Sequence, residues 1–147
     1  MKKKVFGRKL GRSRPAREAL FASLARAMFL NGKIVTTRAK AKAVQGDLEK
    51  LVTLARKNEL SAQRKIMAYL DNSKDAFSAL IYKIAPIFTV RTSGFTRLIS
   101  LPPRKGDNAR MVRIEWTEKL EEPKKVKEVK KEAKKNAKNI STKSKRS

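Results

Sequence analysis

Residues 1–17 carry eight Lys or Arg and no acid, and residues 121–147 carry eleven against four Glu. Cationic side chains at that density repel one another and are costly to bury, so neither end of the chain can supply a core. The fold has to come from the residues between them, where apolar and polar positions alternate with readable periods. A chain of this length suits one domain that buries about 65–70% of its unfolded surface with no disulfide or metal. The composition therefore divides the chain into a basic arm (1–14), an α+β domain (15–120) and a Lys-rich low-complexity tail (121–147) opened by Pro123.

The tail accounts for +7 of the +25 net charge, which leaves +18 on residues 1–120. Surplus of that size is easiest to reconcile with folding if a polyanion cancels the repulsion, and a phosphate backbone does so while releasing counterions. The sequence has no His and no Cys, so a Ser-His-Asp triad, a Cys nucleophile and a His/Cys zinc site are excluded. Nine acidic residues in the first 120 leave few acid–base candidates. Asp71 and Asp75 lie four apart but read as helix capping and first-turn charge rather than as a catalytic pair. Phosphate-binding Gly loops are absent, since Gly7-Arg8-Lys9-Leu10-Gly11 has neither the spacing nor a preceding strand. The residues thus point to a binding protein without cofactor, metal or small-molecule substrate. The longest charge-free stretches, Ala19–Ala25, Ala76–Tyr82 and Ile84–Val90, have seven residues each, too few to span a bilayer. Arg8, Lys9, Arg12, Arg14 and Arg17 stand where a signal peptide would have its apolar region. A cytosolic, unprocessed chain is the expectation, with an organellar transit peptide as the weaker alternative.

Within the domain, Pro15 suits a first helical turn and Leu20, Leu24, Ala27 and Met28 recur at helical spacing up to Asn31-Gly32, which predicts a helix near 15–30. Lys33-Ile34-Val35-Thr36-Thr37 is β-branched and reads as a strand, with Thr37 or a neighbour capping the next helix. Val44, Leu48, Leu51, Val52 and Ala55 predict that helix over 38–57, where Gly46 reads equally as a close approach to a neighbouring element or as a tolerated glycine. Ser61 is the expected cap of a short helix presenting Ile66, Met67 and Leu70. Asn72-Ser73 opens another presenting Phe77, Leu80, Ile81 and Ile84, which Pro86 ends. Alternation over 95–101 and 110–116 predicts a hairpin whose tip carries Arg104, Lys105 and Gly106-Asp107. The order is helix, strand, three helices, two strands, with the small sheet packed on helices. Phe21, Phe29, Tyr69, Phe77 and Tyr82 fall in helices and read as core, and no run of sheet aromatics suited to stacking single-stranded bases occurs.

Gly7-Arg8-Lys9-Leu10-Gly11-Arg12, then Arg17, Lys33-Ile34-Val35-Thr36-Thr37 and Ala39-Lys40-Ala41-Lys42 resemble the bacterial large-subunit ribosomal protein L17 family. Asp47–Ala55, Arg91-Thr92-Ser93-Gly94-Phe95-Thr96-Arg97 and Gly106-Asp107-Asn108-Ala109 continue the resemblance in order, over roughly residues 1–116. Lys3, Ala16 and Asn31 stand where the family usually has histidines, and Ser93 and Phe95 replace a glycine and a tyrosine of its Gly-Gly-Tyr segment. The resemblance implies a small three-stranded mixed sheet packed on helices. It also implies a structural role in the large ribosomal subunit, bound to large-subunit ribosomal RNA near the polypeptide exit tunnel beside neighbouring ribosomal proteins. The residues expected to contact phosphate are Lys2, Lys3, Lys4, Arg8, Lys9, Arg12, Arg14 and Arg17 in the arm, Arg38 and Lys40 at a helix start, and Arg91, Arg97, Arg104 and Lys105 around the hairpin. The rival from another class is a nucleoid-type DNA architectural protein. It should carry an apolar wedge at the hairpin tip, where this chain has only Pro102-Pro103 beside Arg104-Lys105.

In the tail, Val126, Val129, Ala133, Ala137 and Ile140 would line one face of a helix, but +7 opposes compaction. The tail is expected to be disordered alone and helical from about 124 to 140 on RNA. Residues 1–14 have too little apolar surface to offset chain entropy, so the arm should order only on RNA. Deleting residues 2–14 is expected to weaken RNA binding and leave thermal unfolding of the domain nearly unchanged; loss of a cooperative transition would place the arm inside the core.

Overall fold

Pro15 sits in the first turn and Gly32 just past the last, and between them the chain forms α1 (Arg14–Asn31). Pro costs nothing at that position because first-turn N–H groups have no acceptor within the helix. Gly32 takes the left-handed conformation, φ 73°, and its N–H donates to the carbonyl oxygen of Met28 at 2.9 Å. The structure, a computed structural model, describes residues 7–118. Lys2, Lys3, Lys4 and the 121–147 tail with its apolar stripe lie outside the described residues. Of the expected stripe Leu20, Leu24, Ala27 and Met28, Met28 is buried and the other three are half-buried; the buried face of α1 is Ala22, Ala25, Met28 and Phe29. Alanines at 22 and 25 contribute little hydrophobic signal, yet they let α1 lie close to its neighbours.

β1 (Lys33–Thr37) leads directly into α2 (Arg38–Lys57). Thr37 occupies the capping position but its side chain makes no capping bond; instead the Arg38 N–H donates to the carbonyl oxygen of Arg110 at 2.9 Å. A carbonyl from another element therefore satisfies one of the orphan donors of the first turn. The apolar stripe of α2 is buried as its spacing predicts, at Val44, Leu48, Leu51, Val52 and Ala55, with Ala41 added. α3 (Leu60–Tyr69) has Glu59 at its capping position, two residues before the expected cap; the Ser61 hydroxyl, already inside the helix, donates to the Glu59 carboxylate at 3.3 Å. Ser73 precedes α4 (Lys74–Ser78), which widens into a π-helical turn over Ala79–Ile84. In that turn the Ala85 N–H reaches back five residues to Leu80, just ahead of Pro86.

β2 (Thr96–Ser100) and β3 (Met111–Trp116) form the expected hairpin, and β3 is the central strand in the order β1-β3-β2. Both pairings are antiparallel, so the mixed sheet that the resemblance implied is corrected to an antiparallel one. The reason is topological. Consecutive strands in a hairpin must run in opposite senses, and β1 joins the far edge of β3, so β1 and β2 share a direction without ever pairing.

Register decides which residues face the helices. Ile34, Ile114 and Leu98 form one row across the sheet, and Thr96 pairs with Trp116. Val112, Ile114 and Trp116 are buried on that face, with α2 beneath it. Phe29 stacks on Trp116 with centroids 6.0 Å apart, Phe88 approaches Trp116 at 5.8 Å, and Phe95 meets Phe88 edge-on at 5.2 Å. Each such pair adds about 0.5–1.5 kcal/mol beyond its area burial. The helical and sheet layers thus share one core.

Gly46 lies on the exposed side of α2, and a Cβ added there would meet nothing within 4 Å, so the close approach suggested by this glycine is absent. Gly46→Ala should therefore raise unfolding free energy by about 0.5–1 kcal/mol, measured by urea denaturation; a lower midpoint would contradict the open position.

Candidate nucleic-acid interface

The strongest concentration of unneutralised charge begins where β1 becomes α2. Arg38, Lys40 and Lys42 fall within the first five residues of a twenty-residue helix that has no acid in its first turn. Helix dipoles favour anions there and disfavour cations by about 0.3–1 kcal/mol each, so the arrangement opposes the helix unless an anion lies against it. The Arg38–Arg110 backbone bond brings the base of the hairpin to the same place. Arg110 is exposed there and was not among the expected contacts, because its alternation within the strand pattern gave no reason to single it out.

From that base the hairpin ladder runs on past the strands. The Leu101 N–H donates to Met111 and the Arg104 N–H to Ala109, both at 3.0 Å, leaving a short tip. Arg104 grips Asp107 with two nitrogens, Nε lying 3.1 Å from Oδ1. The Ala109 N–H donates to the same carboxylate at 3.3 Å. Together these bonds hold the Asp107 carboxyl down to about 2, the Arg104 contact being the larger cause. Arg104 is thereby a turn-forming residue, while Lys105 stays exposed beside it.

At the opposite end of the sheet Arg56, in the last turn of α2, donates to the carbonyl oxygens of Arg91 at 2.5 Å and Thr89 at 2.9 Å, and lies 6.0 Å from the Phe95 ring centroid. This single guanidinium fixes the irregular segment between Pro86 and β2. Arg91, carried by that segment, pairs with Glu118 at 3.0 Å. Arg97 is exposed on the outer sheet face, in the row Lys33–Glu115–Arg97, next to the row Val35–Arg113–Ile99. Arg113 pairs with Glu115 at 3.1 Å. The expected contacts are therefore not one cluster: Arg38, Lys40, Arg104 and Lys105 lie toward the hairpin end, and Arg91 and Arg97 toward the other.

In the described part of the arm, Arg8, Lys9 and Arg12 are exposed, and the Arg12 guanidinium donates to the Leu10 carbonyl at 2.9 Å. Arg14 pairs with Glu18 at 2.9 Å, and Arg17 is half-buried. Arg8, Lys9, Arg12, Arg17, Arg38, Lys40, Arg97 and Lys105 form no ion pair with a described residue. Among the described residues no group of three or more acids could hold a metal, and no helix is long and apolar enough to cross a membrane.

The profile described as "Ribosomal protein L17" matches residues 20–117. The chain belongs to the ribosomal protein L17 family. It is 43% identical over 119 residues to the "Large ribosomal subunit protein bL17" of Persephonella marina, covering 80% of this chain and 96% of that one. It is also 41% identical over 108 residues to the protein of the same name from Finegoldia magna, covering 74% and 82%. The L17 match spans every described strand and all but the start of α1, and it includes both groups of hairpin and sheet cations. The arm before α1 lies outside it.

The Asp107 contact can be tested by titration. With its carboxyl depressed, the bond to Arg104 is complete above the ordinary value of 3.8 and is lost as pH falls through about 2. The Ala109 amide resonance should report a transition near 2, and Arg104→Gln should move that transition back up toward the usual carboxylate range.

Proposed function

We propose that this chain is a structural constituent of the large ribosomal subunit, residing in the cytoplasm, which binds and stabilises large-subunit ribosomal RNA near the polypeptide exit tunnel beside neighbouring ribosomal proteins. Family membership supports the ribosomal role, since both relatives are named as large-subunit proteins. The observation that carries RNA binding is the first turn of α2, where Arg38, Lys40 and Lys42 stand at the positive end of the helix dipole beside Arg110. Phosphate relieves both repulsions at once. The hairpin tip, with Lys105 exposed and Arg104 anchored, extends the same surface, and Arg97 offers a second contact region. The arm, Lys2, Lys3 and Lys4 included, follows RNA between helices in this reading, and the domain recognises shape and backbone rather than sequence. Its role is scaffolding, with no catalytic step.

The protein should sediment with the large subunit and leave it only at high salt. In a filter-binding assay on deproteinised large-subunit RNA, the plot of log affinity against log salt should be steep. Arg38→Gln and Lys40→Gln should each lower that slope by about 1. A flat salt response, or preferential recovery on duplex DNA, would reject the reading.

A further inference from the structure

α3 carries apolar residues on two faces. Ala62 and Ile66 face the core, while Leu60, Arg64 and Met67, at i, i+4 and i+7, point to the other side. That second face forms one wall of a groove of about 730 Å3, and Lys74, Phe77 and Tyr82 from α4 and the π-helical turn form the other. Leu60 is 64% exposed and Tyr82 76% exposed, so neither side chain is there for the protein's own core. The π-helical turn buries Leu80 and Ile84 while leaving Tyr82 outside, and such turns recur at functional sites.

We propose that this groove captures an unpaired nucleobase of the ribosomal RNA, an inference that rests on the RNA-binding role above. Two observations choose the occupant. The rim residues Arg64 and Lys74 are cationic, and no acidic residue lines the groove among the described residues, so it complements phosphate and repels a lysine-rich surface like this chain's own. Its lining is ten residues, fewer than the about 20–30 residues a side of a standard protein interface. A base would stack on the Tyr82 ring against Met67 and Leu60, with its flanking phosphates on Arg64 and Lys74.

Stacking and ion pairing respond differently to salt, which separates this site from the rest of the interface. With the full chain and deproteinised large-subunit RNA, Tyr82→Ala should weaken binding by about 5- to 100-fold at every salt concentration without changing the salt slope. Tyr82→Phe should bind like the parent, Leu60→Ala should weaken binding in the same slope-neutral way, and Arg64→Gln should lower the slope by about 1. Circular dichroism should confirm that the variants keep the parent fold, as the exposure of both side chains predicts. Ultraviolet crosslinking of the intact subunit should join Tyr82 to RNA. Parent-like binding by both Tyr82→Ala and Leu60→Ala, or a crosslink from Tyr82 to a protein, would overturn the base-capture site while leaving the RNA-binding role standing. Failure of the parent protein itself to bind RNA would overturn both.

Discussion

Trp116, the last residue of β3, is where segments far apart in the chain meet. Phe29 of α1 stacks on it, Phe88 approaches its other side, and Phe95 joins through Phe88. Beside this cluster the Thr117 N–H donates to the carbonyl oxygen of Phe95 at 3.0 Å and Arg91 pairs with Glu118, so the end of β3 is tied twice more to the segment before β2. The indole nitrogen has no hydrogen-bond partner among the described residues, a penalty of about 1–3 kcal/mol for a buried donor. That the ring is buried nonetheless shows how much the stacked apolar surface contributes. β3 can then hold a strand on each edge, and the cations of the hairpin and of the start of α2 are placed by where those strands lead.

The few carboxylates have been distributed so that they position basic residues rather than neutralise the surface. Asp107 shapes the tip by holding Arg104, Glu118 holds Arg91, and Asp71 holds Arg26. Asp47 accepts a hydrogen bond from the Tyr69 hydroxyl at 3.2 Å, and burial together with that carboxylate pushes the phenol above its ordinary range. Arg56 goes further, giving its charge to backbone carbonyls and a ring. Two kinds of cation result: those fixed within the protein and those that pair with no described residue.

Much of this organisation was legible in the sequence because the signals were local. The limits of β1 and α2, the Gly32 stop and the stripe of α2 follow from periodicity and capping, which depend on neighbours within a few positions. What was not legible depends on distant partners. The Arg38 N–H is satisfied by the carbonyl of Arg110, seventy-odd residues away, which capping rules confined to a few positions cannot supply. The alanine face of α1 became core only because other elements approach it closely. Arg104 read as a free cation until the turn brought Asp107 onto it, and Arg110 went unnoticed because strand alternation alone assigns it no partner. Tyr82 was expected in the core, and the π-helical turn, invisible to a 3.6-residue period, carries it outside.

The pairing of β1 with β3 also sets an order of events during synthesis. β1 ends at Thr37 and its partner is complete only at Trp116. At about 5–20 residues per second, the first strand waits on the order of 4–16 s before anything can pair with it. Throughout that interval its β-branched residues present an open edge of the kind that recruits strands from other chains. The nascent chain is at that stage already strongly cationic, and like charge holds copies on neighbouring ribosomes apart. The surplus lysines and arginines thus act first as a dispersant, protecting an unfinished sheet from its own kind.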